Sequence, residues 1–295
     1  MQTFNRALVA LDLSKLDREV LQFFAHNSAA LGIDKAYFVH IIQDFTMPAN
    51  IDVEFQKLFA PEYPVDEKVR DKIGLDVAEV LSRGQALEHV IEVIEGKPYE
   101  KLVHWVKVKE IDLLVVGKKA VSEGSGITAR RVVRNTECNV LFLPGGQLKP
   151  VRNIIVPLDF SERSQRAIAV ARLISQRLPE ATLHGLYVVD LPPEDYYAQS
   201  RPGTGYRGIL LESAHQAYQS FLRENDLPDD LFEMSFIENE SYNIAQHIEA
   251  FAAEKEAPLI VMGARGHTPL EAFFFGSVTE KLLDRLSLAP VLVVR

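Results

Sequence analysis

The sequence contains a single cysteine, Cys138, among its 295 residues. One cysteine excludes an intrachain disulfide and a cysteine-based metal cluster, and its place beside the apolar run Val140–Leu143 predicts a small buried side chain. Long apolar stretches are also absent, since none approaches the roughly 18 residues that span a membrane. The segment Met1–Arg6 lacks the features of a signal peptide, so the expected compartment is the cytoplasm.

An excess of positive charge is absent as well. The 41 acidic residues outnumber the 32 lysines and arginines, which gives a formal net charge of -9. Nucleic acids and anionic membranes bind clustered Lys and Arg, so neither is expected as a partner, although a local pocket can still bind a small anion. The 47% of apolar and 25% of charged residues are typical of a globular protein, and the length predicts two cores of ordinary size.

The two halves of the chain repeat one sequence pattern. An aliphatic run followed by Asp-x-Ser occurs at Ala7–Ser14 and again at Ile154–Ser161, so that Asp159 lies 147 positions after Asp12. Three further apolar runs recur in the same order, with offsets of 147, 146 and 151: Tyr37–Ile42 with His184–Val189, Asp112–Gly117 with Pro258–Gly263, and Val140–Leu143 with Val291–Val294. Such a series indicates a duplication. We expect domains at 1–148 and 149–295, divided in the turn-forming linker Pro144–Pro150.

Each half is predicted to form five short strands that alternate with helices. The strands are apolar on both faces, which is typical of a parallel sheet covered by helices, and the alternation implies right-handed crossovers and a doubly wound, Rossmann-like α/β domain. Two helices of the second half are predicted at Ser161–Leu178 and Tyr242–Glu256 from their apolar spacing. Ser161 can cap the first of these, and Ser14 with Asp17 resembles a capping box in the first half.

The second half has a glycine-rich segment after its fourth strand. Glycines stand at positions 263, 266 and 276, and Ser277 and Thr279 follow at the start of a predicted helix, Val278–Leu286. Glycine lets the backbone approach an anion closely, and the free N–H groups and dipole of a helix N-terminus favour phosphate. Ligands of such sheets bind outside the carboxyl ends of the strands. Two other strands of this half are expected to end at Pro157–Asp159 and Tyr187–Asp190. Glycine content alone leaves open an ordinary strand-to-helix loop.

The spacing Gly263-x2-Gly266-x9-Gly276-Ser277 resembles the ATP-binding signature of the universal stress protein family. The whole chain is similar to a tandem member of that family, whose domains have an adenine nucleotide alpha hydrolase-like fold. The resemblance implies that Asp159 and Pro157 lie at the adenine and ribose side, and that the backbone of Val188 contacts the adenine edge. It further implies ATP or another adenine nucleotide as ligand, with Mg²⁺ held mainly by the phosphates. The expected nucleotide-binding residues are Pro157, Leu158, Asp159, Val188, Met262, Gly263, Arg265, Gly266, Gly276, Ser277, Val278 and Thr279.

The corresponding loop of the first half, Gly117–Thr128, is five residues shorter. Ala120 replaces the second glycine, and Ala10 stands where Pro157 stands in the second half, although the acid Asp12 remains. We therefore predict that the first half does not bind ATP in the manner of the family. An alternative is that basic residues in and after the loop bind another anion: Lys118, Lys119, Arg130 and Arg131.

Three functions remain open from the sequence. The first is an ATP-binding stress-response protein that acts as a nucleotide-responsive regulator; the others are a slow ATP hydrolase and an interaction scaffold that binds no nucleotide. No catalytic residue is assigned, because no pair of a base and a nucleophile is evident. In the family, the final strands of two domains pair, and Val140–Leu143 with Val291–Val294 could do this within one chain, as a pseudo-dimer. Association into a homodimer is left open.

Overall fold

The computed structural model describes residues 4–42, 65–82, 87–118, 135–146, 148, 150–191, 206–239, 243–256, 259–264, 276–285 and 289–295. The chain divides into two compact units, Met1–Leu148 and Lys149–Arg295. Arg265 and Gly266 lie outside the described residues, as do Lys119, Ala120, Arg130 and Arg131 of the first-half loop.

The N-terminal unit alternates strands and helices around a parallel sheet. In chain order the elements are β1 (Arg6–Leu11), α1 (Leu16–Leu31), β2 (Lys35–Ile42), α2 (Val65–Leu81), β3 (Glu88–Glu95), α3 (Pro98–Val108), β4 (Leu113–Lys118) and β5 (Asn139–Pro144). The strand order is β3-β2-β1-β4-β5, and every adjacent pair is parallel.

The C-terminal unit repeats this arrangement. Its elements are β6 (Asn153–Pro157), α4 (Glu162–Arg177), β7 (Thr182–Asp190), α5 (Tyr206–Glu224), β8 (Glu233–Asn239), α6 (Ile244–Glu254), β9 (Leu259–Gly263), α7 (Ser277–Arg285) and β10 (Val291–Val294). The strand order is β8-β7-β6-β9-β10, again with parallel neighbours. Both units confirm the predicted doubly wound α/β fold.

The central strands of each unit are buried on both faces. Ile154, Ile155 and Val156 of β6 have no exposed surface, and the aliphatic runs Leu113–Val116 of β4 and Val291–Val294 of β10 are buried as well. Continuous aliphatic strands of this kind are stable only when helices cover both faces of the sheet. None of the described helices is both long enough and apolar enough to cross a membrane.

The two predicted helix caps have different outcomes. Ser161 caps α4, because its hydroxyl accepts a hydrogen bond from the N–H of Ser164 (3.4 Å). The predicted capping box of Ser14 and Asp17 is wrong. Helix α1 begins at Leu16 after Lys15, which makes no side-chain cap. The carboxylate of Asp17 instead accepts hydrogen bonds from the backbone N–H groups of Asp12 and Leu13, since the turn before α1 leaves those donors without a strand partner.

Candidate functional site

A cleft of about 320 Å³ opens at the carboxyl end of the C-terminal sheet. The strand order reverses there, because β6 lies between β7 and β9, and this is the usual ligand position in open α/β sheets. The volume lies at the low end of the range for small-molecule sites. The lining comes from β6, β7, β9, α6, α7, the first turn of α4 and the turn before it: Pro157, Leu158, Asp159, Ser164, Leu186, Tyr187, Val188, Asp190, Ile244, Ile248, Met262, Gly263, Gly276, Ser277, Val278 and Thr279.

Every expected binding residue that the structure describes lies in this lining, and only Arg265 and Gly266 fall outside the described part. Six lining residues were not among the expected binding residues: Ser164, Leu186, Tyr187, Asp190, Ile244 and Ile248. Strand periodicity could have found Leu186 and Asp190, because they lie two positions to either side of Val188 and so share its face of the sheet. Ile244 and Ile248 share one face of α6 for the same kind of reason, at a spacing of four.

A strained turn fixes the carboxylate of Asp159 at the end of β6. Phe160 has a φ of 58°, a left-handed conformation that non-glycine residues seldom adopt. The carboxylate oxygen Oδ1 accepts hydrogen bonds from the N–H of Ser161 (3.0 Å) and the hydroxyl of Ser164 (2.6 Å). The N–H of Asp159 in turn donates to the hydroxyl of Ser164 (3.0 Å). These contacts hold one acid group in a set position beside the cleft.

The N-terminal unit has the same turn, but a different residue of the following helix bonds to it. Leu13 has a φ of 62°, and the N–H of Ser14 donates to Oδ1 of Asp12 (3.1 Å). Asp17 stands 147 positions before Ser164, so a second carboxylate replaces the hydroxyl. Burial, aided by the nearby charge of Asp12, raises the pKa of Asp17 to about 6, although its bonds from backbone N–H groups act in the opposite direction. The N-terminal turn therefore carries two acid groups where the C-terminal turn carries one.

The N-terminus of α7 also lines the cleft. The helix begins at Ser277, and its first turn includes Val278 and Thr279, whose N–H groups have no acceptor within the helix. The N–H of Gly276 donates to the carbonyl of Ala264 (2.9 Å), which joins the start of α7 to the end of β9. The hydroxyl of Thr279 also donates to the carbonyl of Gly263 (3.4 Å), and the side chain is 2% exposed. Thr279 thus positions the helix, while Ser277 is exposed.

Gly263 is required by packing against α4. A Cβ atom at this position would lie 2.9 Å from the Cβ of Arg163 and 3.1 Å from its carbonyl oxygen. In the N-terminal unit a Cβ on Gly117 would lie 2.8 Å from the side chain of Leu16. Since contact between strand and helix accounts for Gly263, this glycine alone does not indicate a ligand.

The wall of the cleft along β7 is part aromatic and part acidic. The ring of Tyr187 stacks on that of Phe160, with centroids 4.6 Å apart and planes 10° from parallel. Burial raises the pKa of the Tyr187 phenol, and the negative charges of Asp190 and Asp159 act in the same direction. The phenol is therefore neutral at physiological pH, and both carboxylates lie within electrostatic range of it.

A model of the universal stress protein family matches this chain twice, over residues 3–144 and 150–295. The chain belongs to the universal stress protein family. A universal stress protein of Methanocaldococcus jannaschii is 30% identical over 145 residues, which cover 49% of this chain and 82% of that protein. The structure of a universal stress protein of Archaeoglobus fulgidus has a TM-score of 0.65 at 16% identity, covering 100% of this chain and 97% of that chain. At that identity the likeness shows the tandem fold.

The cleft of the second universal stress protein domain offers few groups to a metal ion. Among the described residues, no group of three or more His, Cys, Asp or Glu side chains is placed to hold one. The ionisable side chains in the described lining are Asp159, Tyr187 and Asp190. A metal in this cleft would accordingly need ligands from a bound molecule as well as from the protein.

Proposed function

We propose that the C-terminal domain binds an adenine nucleotide, ATP with Mg²⁺ held mainly through its phosphates, and that the protein is a nucleotide-responsive regulator. One observation carries the proposal: a helix N-terminus, a fixed carboxylate and apolar side chains line one cleft. A nucleotide has the matching sequence of groups, with anionic phosphates, a sugar bearing hydroxyl donors and a flat apolar base.

The charges of the cleft determine how a nucleotide would lie. The N–H groups of Ser277, Val278 and Thr279 favour phosphate, since the helix dipole places partial positive charge there. The carboxylate of Asp159 accepts hydrogen bonds and repels phosphate, so it suits the hydroxyl groups of the ribose. The base would then contact the apolar side chains that remain, which include Val188 and Met262.

The proposal assigns nucleotide binding to the C-terminal domain alone. Asp17 supports this asymmetry, because a second carboxylate beside Asp12 adds negative charge at the place where the C-terminal domain has the neutral Ser164. Two further differences of the first half point in the same direction: Ala120 replaces the second glycine of the loop, and Ala10 stands where Pro157 stands in the second half.

Regulation fits the cleft better than rapid turnover. In the described lining there is no histidine or lysine to act as a base or to stabilise transferred phosphate. Tyr187 is held neutral, and the hydroxyl of Ser164 is engaged with Asp159. A bound nucleotide would therefore act chiefly by favouring one conformation of the loops that contact it.

The test is to identify small molecules released from the purified full chain by mass spectrometry, and then to titrate ATP with Mg²⁺ by calorimetry. We expect one adenine nucleotide per chain, and loss of binding in Gly276→Asp, which places a side chain and a negative charge at the start of α7. Asp159→Ala should weaken binding, while the matched variant Asp12→Ala should leave it intact. Two nucleotides per chain would contradict the asymmetry, and none at millimolar ATP would leave the protein as a scaffold.

A further inference from the structure

A second acid group lies on the wall of the cleft, at the end of β7. Asp190 is the last residue of β7 and shares the face of Val188, two positions before it. It pairs in register with Asn239, the last residue of β8. The amide nitrogen Nδ2 of Asn239 donates a hydrogen bond to Oδ1 of Asp190 (2.6 Å). Asp190 lines the cleft, so its carboxylate is held at a defined place on that wall.

Asn239 is itself positioned by a contact with α6. It is 1% exposed, and its Oδ1 lies 3.2 Å from Nε2 of His247 in α6. The ring N–H of His247 donates to this oxygen, because the opposite orientation of the amide would turn its oxygen toward the carboxylate of Asp190. A buried amide is costly unless both its ends are paired. His247 and Asn239 thus form a hydrogen-bonded series that ends at Asp190 on the cleft wall.

The position of Asp190 restricts what can bind next to it. A carboxylate accepts hydrogen bonds and does not donate them, and it repels phosphate. Phosphate belongs at the N-terminus of α7, the helix that follows β9. Asp190 ends β7, and β7 and β9 lie on either side of β6. In the same cleft, Leu186 and Val188 of β7 and Ile248 of α6 provide apolar contact for a flat ring. Because the ribose hydroxyls are assigned to Asp159, the group beside Asp190 is assigned to the base and must carry a hydrogen-bond donor.

Resting on the nucleotide-binding function proposed above, we propose that Asp190, positioned by Asn239 and His247, determines base specificity by accepting a hydrogen bond from the exocyclic 6-amino group of the purine. Adenine has that amino group as a donor, whereas a 6-oxo purine presents an acceptor at the same place. An analogue without the amino group cannot form this hydrogen bond, and a 6-oxo group would bring an acceptor against the carboxylate of Asp190, so both analogues should bind more weakly than adenine.

The experiment compares three triphosphates by calorimetry on the full chain: ATP, purine riboside triphosphate, which has the same ring without the amino group, and ITP, which has a 6-oxo group. The wild type should bind ATP roughly tenfold or more tightly than either analogue. Asp190→Ala should reduce the ratio of ATP to purine riboside affinity at least fivefold. Asp190→Asn, whose amide can donate, should shift preference toward ITP. Asn239→Ala should reduce the same ratio less, because Asp190 remains but is no longer held.

The ratios of the affinities report on recognition of the base alone, because removing one negative charge changes the affinity for all three triphosphates together. Asp230→Ala is the matched control: it removes an exposed carboxylate outside the cleft lining and should leave the ratios unchanged. If the wild type binds ATP and Asp190→Ala keeps the same ratios, this inference is wrong while the proposed function stands. If no triphosphate binds to the wild type, both are wrong. Circular dichroism checks that each variant is folded, and Asp190→Asn retains the size of the native side chain.

Discussion

The hydroxyl of Ser164 donates to Oδ1 of Asp159 over 2.6 Å and accepts from the N–H of the same residue over 3.0 Å. One side chain on the first turn of α4 thus satisfies both a backbone donor and a carboxylate at the end of β6. The left-handed Phe160 between them has an unfavourable conformation. We infer that the bonds through Ser164 offset this strain and keep the carboxylate oriented toward the cleft.

Replacing Ser164 with alanine should therefore lower both stability and nucleotide affinity. The N–H of Asp159 would lose its partner in a partly buried turn, which costs about 1–3 kcal/mol of unfolding free energy. The freed carboxylate would occupy several orientations, so that ATP should bind severalfold more weakly. Urea denaturation measures the first effect, and calorimetry with ATP and Mg²⁺ measures the second.

A matched control is available in the same helix. The hydroxyl of Ser175 donates only to the carbonyl of Arg172, one turn earlier in α4 (2.9 Å). Ser175→Ala should change stability by less than about 1 kcal/mol and leave ATP affinity unchanged. Equal ATP affinity in Ser164→Ala and wild type would show that the hydroxyl serves the fold alone.

The raised pKa of Asp17 predicts a pH dependence of stability in the N-terminal domain. Its pKa is about 6 in the folded protein against an ordinary value of 3.8, so the folded state binds the proton more tightly than the unfolded state. Stability from this residue is then fully present below about pH 4 and is lost as the pH rises to about 6. After allowance for solvent screening, the loss is about 1–2 kcal/mol.

Asp17→Ser introduces the residue that the C-terminal domain has at this position, and it should remove this dependence. The comparison is the difference in unfolding free energy between variant and wild type, measured by denaturation from pH 4 to pH 7. As the pH rises from 4 to 7, the unfolding free energy of the variant should increase relative to that of the wild type. Asp76→Ser, which replaces an exposed acid in α2, should give a flat difference. A flat difference for Asp17→Ser as well would show that the backbone hydrogen bonds to Asp17 cancel the effect of its burial.

The repeat and the hydrophobic pattern were sufficient to predict the fold. Strands such as Ile154–Val156 are apolar at every position, and only a covered parallel sheet accommodates them. The spacing of glycines around Gly276 and the acid Asp159 located the cleft, since both follow strands whose carboxyl ends meet at one edge of the sheet. Periodicity therefore predicted which segments come together.

Contacts between elements could not be predicted in the same way. Nothing in the sequence indicates that Ser164 bonds back to Asp159, or that Asp17 bonds to backbone N–H groups in place of a capping box, because both depend on the angle at which a helix leaves its turn. The pairing of Asp190 with Asn239 depends on the register of β7 and β8. The sequence also could not distinguish a glycine needed for packing, as at Gly263, from one needed by a ligand.

Gly263→Ala should destabilise the C-terminal domain. The added Cβ would lie 2.9 Å from the Cβ of Arg163, and 3.1 Å from its carbonyl oxygen, so the start of α4 would have to shift. Overpacking of this kind costs about 1–3 kcal/mol, measured by urea denaturation. Gly208→Ala is the control, because a Cβ there meets no atom within 4 Å and the position lies in α5. It should stabilise the protein by about 0.5–1 kcal/mol, and a loss in Gly208→Ala comparable to that of Gly263→Ala would contradict the packing argument.

Ser277→Glu should separate ligand binding from stability, because its two effects have opposite signs. A negative side chain in the first turn of α7 interacts favourably with the helix dipole, which should raise the unfolding free energy by about 0.3–1 kcal/mol. The same charge would lie where phosphate is proposed to bind, so ATP affinity should fall at least tenfold. Denaturation and calorimetry on one preparation measure both. Ser213→Glu, which makes the same substitution at an exposed position of α5, should change neither by a comparable amount. Retained ATP affinity in Ser277→Glu would place the phosphates away from α7 and contradict the orientation on which the assignment of Asp190 to the base depends.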